Sequence, residues 1–298
     1  QQAGSFRIMA DLTLVGLFAG FFIVPLFALI QSRTERHMLS RVIAGMNIQN
    51  AVFICTAAVI GIVLQRYFNF TIPQLFLLLA VMNAAVAIYL MVLVPEFLMR
   101  FLAWIYIRFM YRIEVHGVEK HVPDEGPALL VCNHVSYMDA LILSSAIPRP
   151  IRFVMYYKIF NTPFVSWAFK AARAIPIAGK NEDAELMQRA FDEVDQALAE
   201  GELVCIFPEG RLTPDGEIGN FKSGMEHILQ KRPVPVAPLA IRGMWASIFS
   251  RKGVKSYWRI PGRFRAHIAV IADSPVAGAT AKAEDMEEKV KAMRGDWA

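Results

Sequence analysis

This chain lacks the signatures of the commonest enzyme chemistries. It has only three cysteines, Cys55, Cys132 and Cys205, each alone in an apolar run with no CxxC spacing. That arrangement argues for buried free thiols and against a disulfide framework or a thiolate metal site. No GxSxG elbow occurs, so a serine acyl-enzyme is not indicated. No GxxxxGK loop, GxGxxG fingerprint or HExxH helix occurs either, which leaves nucleotide and metal chemistry without support. No cofactor and no metal are expected. Charge is scarce too. Charged residues make up 19% of the chain and hydrophobic residues 55%, and the mean hydropathy is +0.39. That is too apolar for an ordinary soluble domain. There is no internal repeat, no low-complexity tract and no short apolar core behind a basic start of the kind a cleavable signal peptide shows. The chain opens on Gln1, which reads as the tail of a longer protein or a processed product.

The apolar excess sits in the first third. Residues 8–30, 42–64 and 72–94 are long apolar stretches. At ~1.5 Å rise per residue each reaches ~30–35 Å as a helix, enough to cross a bilayer. The loop between the first two carries Arg33, Arg36 and Arg41, whereas the next carries only Arg66. Basic short loops stay cytoplasmic. The first loop and everything after Val94 are therefore expected on the cytoplasmic side of an inner membrane, with Gln1 outside. Asp11, Asn47, Gln49 and Asn50 fall within the spans, where polar groups usually face other helices or a cavity. Residues 97–112 place Arg100, Trp104, Arg108 and Arg112 four apart, a basic-aromatic stripe suited to a membrane surface. Packing of that helix on its own domain is the alternative. The expected organisation is a transmembrane segment at 1–96, an interfacial helix at 97–112 and a catalytic domain at 113–298.

From Tyr111 onward the pattern becomes α/β. Short apolar runs at 128–132, 151–155, 203–207, 236–241 and 267–271 read as strands, and 137–146, 163–172 and 183–200 read as helices. Gly201 supplies a stop for the last helix, and 277–283 reads as a loop before a short terminal helix. Alternation of this kind argues for an α/β fold, a mainly parallel sheet covered by helices.

Two polar motifs stand at predicted strand exits. Residues 133–139 read Asn-His-Val-Ser-Tyr-Met-Asp, and 207–211 read Phe-Pro-Glu-Gly-Arg. Strand exits of a parallel sheet share one edge, so the motifs can line one crevice. Imidazole, with an ordinary pKa of ~6.5, can act as a base near neutrality. On a helix, five steps of ~100° would turn Asp139 ~140° past His134. The pair can meet only if His134 lies in the turn before the helix and Asp139 in its first turn. Ser136 is then a candidate N-cap. Asp139 would hold one ring nitrogen and leave the other to accept a proton. A capping role for Asp139, and a structural one for His134, are equally open on this motif alone. In the second motif Gly210 permits close backbone approach, Arg211 offers a planar fork for phosphate and Lys222 a second cation. A solvated Glu209–Arg211 ion pair is the alternative. Pro214-Asp215-Gly216 marks a turn after it. A His-Asp pair beside a phosphate-sized basic pocket points to transfer of an acyl group to a phosphate-bearing alcohol.

Residues from about Arg112 to Arg265 resemble the glycerolipid acyltransferase family that includes 1-acylglycerol-3-phosphate acyltransferases. Asn133, His134 and Asp139 match its NHx4D motif. Phe207, Pro208, Glu209 and Gly210 match its phosphate-binding FPEG motif, with Arg211 directly after, and Val234-Pro-Val-Ala-Pro238 matches a later proline-containing apolar strand. The resemblance implies that His134 is the base, that Asp139 orients it and that the segment from Glu209 to Arg211 holds the acceptor phosphate. The chain departs from the family where many members read Glu-Gly-Thr-Arg-Ser, and where an arginine usually closes the second block. Here Ala174-Ile-Pro-Ile177 runs into Ala178-Gly179-Lys180, and Lys180 and Arg173 are the candidate replacements. The first hundred residues, with Gly16-Leu-Phe-Ala-Gly-Phe-Phe-Ile-Val-Pro25 and Ser40-Arg-Val-Ile-Ala44, resemble the closing helices of a major-facilitator transporter of the lysophospholipid-transporter type.

The expected activity is acyl transfer from a thioester, on acyl-carrier protein or coenzyme A, to the free hydroxyl of a lysophospholipid or 1-acylglycerol-3-phosphate. A non-catalytic lipid-binding or coupling domain on a transporter is the alternative. The partners expected are membrane phospholipid and the acyl donor. The formal charge of +5 favours anionic partners. A strip from Arg242 to Arg265 holds Arg242, Arg251, Lys252, Lys255, Arg259, Arg263 and Arg265 beside Trp245, Phe249, Tyr257 and Trp258, with no acid. It suits anionic lipid or an acidic carrier protein. Nucleic acid is set aside for a membrane-tethered domain. A solvated surface with its aromatics packed inward fits the strip as well.

Overall fold

The computed structural model describes residues 2–35, 37–93, 95–163, 166–245, 247 and 265–296. The chain divides into two compact units, Gln1–Leu98 and Met99–Ala298. Most of the basic-aromatic strip lies outside the described residues; Arg242, Trp245 and Arg265 lie within them.

The first unit holds three long helices, α1 (Gln2–Arg33), α2 (Leu39–Phe68) and α3 (Ile72–Leu93). Within them Phe6–Ala28, Leu39–Phe68 and Ile72–Tyr89 are each long and apolar enough to cross a membrane. Three polar side chains here bond their own helix. Thr13 and Thr56 donate to Met9 O and Val52 O at 2.8 Å, and Asn83 donates to Leu79 O at 2.9 Å. Such local satisfaction suits a surround that offers no water. The turn between α2 and α3 is built from cap chemistry. Asn69 takes a left-handed φ of 52°, a conformation asparagine tolerates at helix ends. Gln74 Oε1 then accepts from Thr71 N at 2.8 Å, the returning half of a capping box.

Next comes α4 (Pro95–Met110), which runs straight into β1 (Tyr111–His116). Arg112 therefore belongs to a strand, not to the predicted interfacial stripe. Arg100 also departs from that expectation, because its guanidinium donates to Ile147 O at 3.1 Å and Pro148 O at 2.7 Å. Arg108 lies over the Trp104 ring, 5.7 Å from its centroid. Ile107 is buried in the core, while Leu102, Tyr106 and Phe109 stand exposed.

After β1 follow α5 (Val118–His121), β2 (Ala128–Cys132), α6 (Asp139–Ala146), β3 (Ile151–Tyr156), α7 (Tyr157–Phe160) and α8 (Ser166–Ala171). Then come β4 (Ile175–Ile177), α9 (Ala184–Ala199), β5 (Leu203–Ile206), α10 (Gly224–Lys231), β6 (Val236–Arg242), β7 (Ala266–Ala272) and α11 (Ala283–Arg294). The seven strands form one sheet in the order β1-β7-β6-β2-β5-β3-β4. All neighbours are parallel except β6 and β7. The fold is thus α/β, as expected. The central strands β2 and β5 are buried along their whole length, which is why they read as unbroken apolar runs rather than alternating ones.

Helices cover both faces. Ile107 of α4 and Ile142, Leu143 and Ile147 in and after α6 pack one core layer. Val194 and Leu198 of α9, Met225 and Leu229 of α10, and Met286 and Val290 of α11 pack the other. α9 starts where Asp183 accepts from Leu186 N at 2.8 Å, and buries Ala190, Val194, Ala197 and Leu198 on one face. Because β2 through β6 run parallel, their carboxyl ends meet at one edge. β1 runs the other way and begins there.

Candidate active site

His134 sits two residues past β2, in the turn before α6. Asp139 opens α6 and is fully buried. Its Oδ2 accepts from His134 Nδ1 at 2.8 Å, from Val135 N at 2.7 Å and from Ser136 N at 2.9 Å. The expectation that Ser136 caps α6 is met in part: α6 opens only at Asp139, with Met138 in the cap position, but Asp139 Oδ2 returns to Ser136 N as the second half of a capping box does. Ser136 Oγ accepts from Met138 N at 3.2 Å, and the helix carboxylate itself turns back to gather the preceding N–H groups. Proton donation from Nδ1 to a carboxylate fixes the tautomer and leaves Nε2 as the basic nitrogen. The His134 side chain is 22% exposed, so one ring edge stays open. Its face stacks on Phe207, with centroids 4.1 Å apart and planes 17° from parallel.

The loop after β5 is stitched to this turn from both sides. Glu209 Oε1 accepts from His134 N at 2.8 Å, and Thr213 N donates to His134 O at 3.0 Å. Arg211 lies midway between these two attachments. Glu209 Oε2 accepts from Gly219 N at 2.9 Å. Both carboxylate oxygens are thus taken by main chain, and Glu209 is 4% exposed. It neither pairs with Arg211 nor presents a free edge to a ligand. Burial pushes its carboxyl above the ordinary glutamate range, and the two N–H groups pull it back in part.

Gly210 has a φ of 66°, and a Cβ there would come within 2.7 Å of Lys222 Nζ. Glycine is needed both for that backbone and for the approach of the ammonium. Lys222 N donates to Pro208 O at 3.0 Å, which closes the loop on itself. Arg211 and Lys222 are exposed, and neither forms an ion pair among the described residues. The Pro214-Asp215-Gly216 turn is closed by Gly216 N donating to Thr213 Oγ1 at 3.0 Å. Trp245 packs so closely on Gly216 that a Cβ would meet its ring at 2.8 Å.

Asn133 has a different place from the one expected. It is fully buried; its amide donates to Ile241 O at 3.1 Å and accepts from Ile241 N at 2.8 Å. The side chain continues the pairing of β2 with β6 past the end of the strand. Asn133→Ala leaves two buried main-chain groups without partners. It is expected to cost about 1–3 kcal/mol, read by denaturant unfolding of the detergent-solubilised protein.

The structure also separates the two candidates for the second-block cation. Arg173 precedes β4 and pairs with Glu202 and with Glu200 at 3.6 Å. It therefore lies at the amino end of the sheet, away from His134. Lys180 follows β4, on the carboxyl side. Of the strip, Arg242 donates to Met293 O at 2.6 Å and Trp245 is packed on Gly216, so these two are engaged within the fold. The thiols of Cys132 and Cys205 are buried and pushed up by desolvation first; they stay protonated and are poor nucleophiles. Among the described residues no group of three His, Cys, Asp or Glu is arranged to hold a metal ion.

An open imidazole nitrogen backed by a buried carboxylate can take a proton from a hydroxyl, and the nearby cations can hold an anionic group on the same molecule. Residues 112–242 match the sequence model of the family described as Acyltransferase. The chain is 30% identical over 133 residues to the chloroplastic 1-acyl-sn-glycerol-3-phosphate acyltransferase LPAT1 of Arabidopsis thaliana, covering 45% of this chain and 36% of that one. It is 32% identical over 129 residues to the 1-acyl-sn-glycerol-3-phosphate acyltransferase of Pseudomonas aeruginosa, covering 43% and 49%. It thus spans half or less of the length of these curated relatives. Its fold is similar to the crystal structure of the 1-acyl-sn-glycerophosphate acyltransferase PlsC from Thermotoga maritima, with a TM-score of 0.50 at 21% identity, over 83% of this chain and 95% of that one.

Proposed function

We propose that this chain is a membrane-bound O-acyltransferase that esterifies the free hydroxyl of a lysophospholipid or 1-acylglycerol-3-phosphate. The observation that carries this reading is the His134–Asp139 contact of 2.8 Å in a turn bonded on both sides to the Arg211 loop. His134 Nε2 removes the hydroxyl proton. The oxygen attacks the thioester carbonyl, the tetrahedral oxyanion collapses, and the thiolate leaves and takes up the proton. Asp139 holds the imidazole through the step and offsets its positive charge. Arg211 and Lys222 bind the acceptor phosphate, with Lys180 as a third cation on the same side. The family match and the relatives support O-acyl transfer of the glycerolipid type; the three apolar helices support attachment to a membrane. We place the catalytic unit on the cytoplasmic side of the inner membrane, and read α1–α3 as an anchor of the kind that closes a major-facilitator transporter. The donor is a thioester on acyl-carrier protein or coenzyme A.

The test is acyl transfer by the purified protein, with acceptors resolved by head group and both donor types in parallel. Turnover on a phosphate-bearing lysolipid is expected; failure on every donor and acceptor pair overturns the reading. Arg211→Ala is expected to raise the acceptor KM about tenfold with little change in kcat, because it removes a fork that binds ground and transition states alike. Arg173→Ala, at the far end of β4, should leave that KM unchanged.

A further inference from the structure

Two buried polar atoms near the dyad are not used by the chemistry above. Asp139 Oδ1 and the Tyr111 hydroxyl are each sealed from solvent and make no close hydrogen bond among the described residues, although the Ser247 side chain lies within reach of the phenol. Buried polar groups are seldom left so; a phenol that accepts from Ser247 still has its own proton to give, and a buried carboxylate oxygen in the same locality can take it, directly or across one bound water. The topology brings them together. Tyr111 is the first residue of β1, at the edge where β2 through β6 end, and packs in the same core layer as Val135, Met138 and Ile142 around the start of α6. After burial, the Ser247 side chain, near enough to donate to the phenol oxygen, affects the Tyr111 hydroxyl most, and the Asp139 charge reaches it more weakly. Burial foremost pushes that phenol up to about 12, so it stays a neutral donor across any working pH.

We propose that Tyr111 is a positioning residue that directs its hydroxyl proton to Asp139 Oδ1, locking the carboxylate whose other oxygen holds His134. The inference rests on the acyl-transfer reading only for its kinetic consequence. With Oδ2 already accepting from three N–H groups, a donor on Oδ1 fixes the remaining freedom, rotation of the carboxylate about its own axis. The other titratable groups that face the dyad are Glu209 from the loop after β5 and the protonated thiols of Cys132 and Cys205 from β2 and β5. The Cys132 thiol is directed at Asn133 Oδ1 and the Cys205 thiol at Ile206 O, and Glu209 accepts from main chain at both oxygens, so none of them supplies Oδ1 with a donor.

Tyr111→Phe keeps the ring and removes only the hydroxyl. The first readout is the proton resonance of His134 Nδ1–H in the detergent-solubilised protein, identified by its loss in His134→Gln. Without a donor on Oδ1 the carboxylate becomes a stronger acceptor from His134, and the resonance is expected to move downfield. The second readout is kinetic: kcat falls about tenfold with the acceptor KM unchanged, as expected for a lost hydrogen bond that acts only through the dyad. A resonance at the wild-type position overturns the inference. So does a Tyr111→Phe protein that is more stable and fully active, because that is how a mere packing tyrosine with an idle hydroxyl behaves. If the wild type transfers no acyl group, the functional reading fails while the resonance still decides the role of Tyr111.

Discussion

His134→Ala is expected to lower acyl transfer about 10³-fold, which corresponds to about 4 kcal/mol of transition-state stabilisation. The loss should fall on kcat, with KM for both substrates within about twofold, because the imidazole meets the substrate hydroxyl mainly as it gives up its proton. The geometry makes this a clean substitution. His134 is held through main-chain bonds, N–H to Glu209 and carbonyl to Thr213, and alanine keeps both. Only the ring leaves, with its stacking on Phe207, so the loop that carries Arg211 should stay in place. Asp139→Asn provides the companion test. The amide can still accept from Val135 and Ser136, but it no longer offers a charge to the imidazole, and kcat should again fall by at least about tenfold. Initial rates with saturating donor would check both. Turnover in His134→Ala equal to that of the wild type would end the proposed mechanism while leaving the fold and phosphate pocket untouched.

What could be read from the sequence divides along the range of the interactions. β2 and β5 were legible because strands buried on both faces leave unbroken apolar runs. α9 was legible because its cap, periodicity and stop are all local. Helix geometry set the condition under which His134 meets Asp139, a turn followed by a first helical residue, but left a capping role for Asp139 equally open. The roles of Asn133 and Glu209 were not legible. Asn133 bonds a residue 108 positions away and Glu209 one 75 positions away, and no local pattern says whether a polar side chain faces a ligand or a distant main chain. β1 leaves no local sign, because Tyr111 follows α4 with no breaker and Arg112 continues a helical count that the chain has already left. The inward role of Tyr111 is hidden for the same reason. As the last aromatic of a supposed surface helix it had no cause to look inward. Arg100 shows the reverse: its spacing suggested lipid phosphates, but two carbonyls after α6 were nearer.

Glu209→Gln is expected to cost about 10² in kcat, a larger effect than that of any phosphate-binding residue, although Glu209 touches no substrate. A carboxylate accepts at both oxygens, and here one accepts from His134 N and the other from Gly219 N. An amide accepts at only one. Whichever way the glutamine turns, its NH2 faces one of those N–H groups, and a buried donor is left opposite a donor at about 1–3 kcal/mol. The turn that carries His134 and the loop that carries Arg211 and Lys222 lose their shared staple, so base and phosphate site move apart together. This predicts a signature that loss of a ligand contact would not give: kcat falls, acceptor KM rises, and the unfolding midpoint drops in the same variant. The pH dependence has a definite sign. Burial raises the folded-state pKa of Glu209, so the folded protein holds that proton more tightly than the unfolded chain. The stability it contributes is fully present below the ordinary glutamate value of about 4.3 and is lost as pH rises through the raised folded value. The variant, with nothing to titrate there, should lack that fall. Unfolding midpoints followed from about pH 4 to pH 7 would compare the two slopes. Parallel slopes, or wild-type kcat in Glu209→Gln, would mean that the two loops are held in register by something other than this carboxylate.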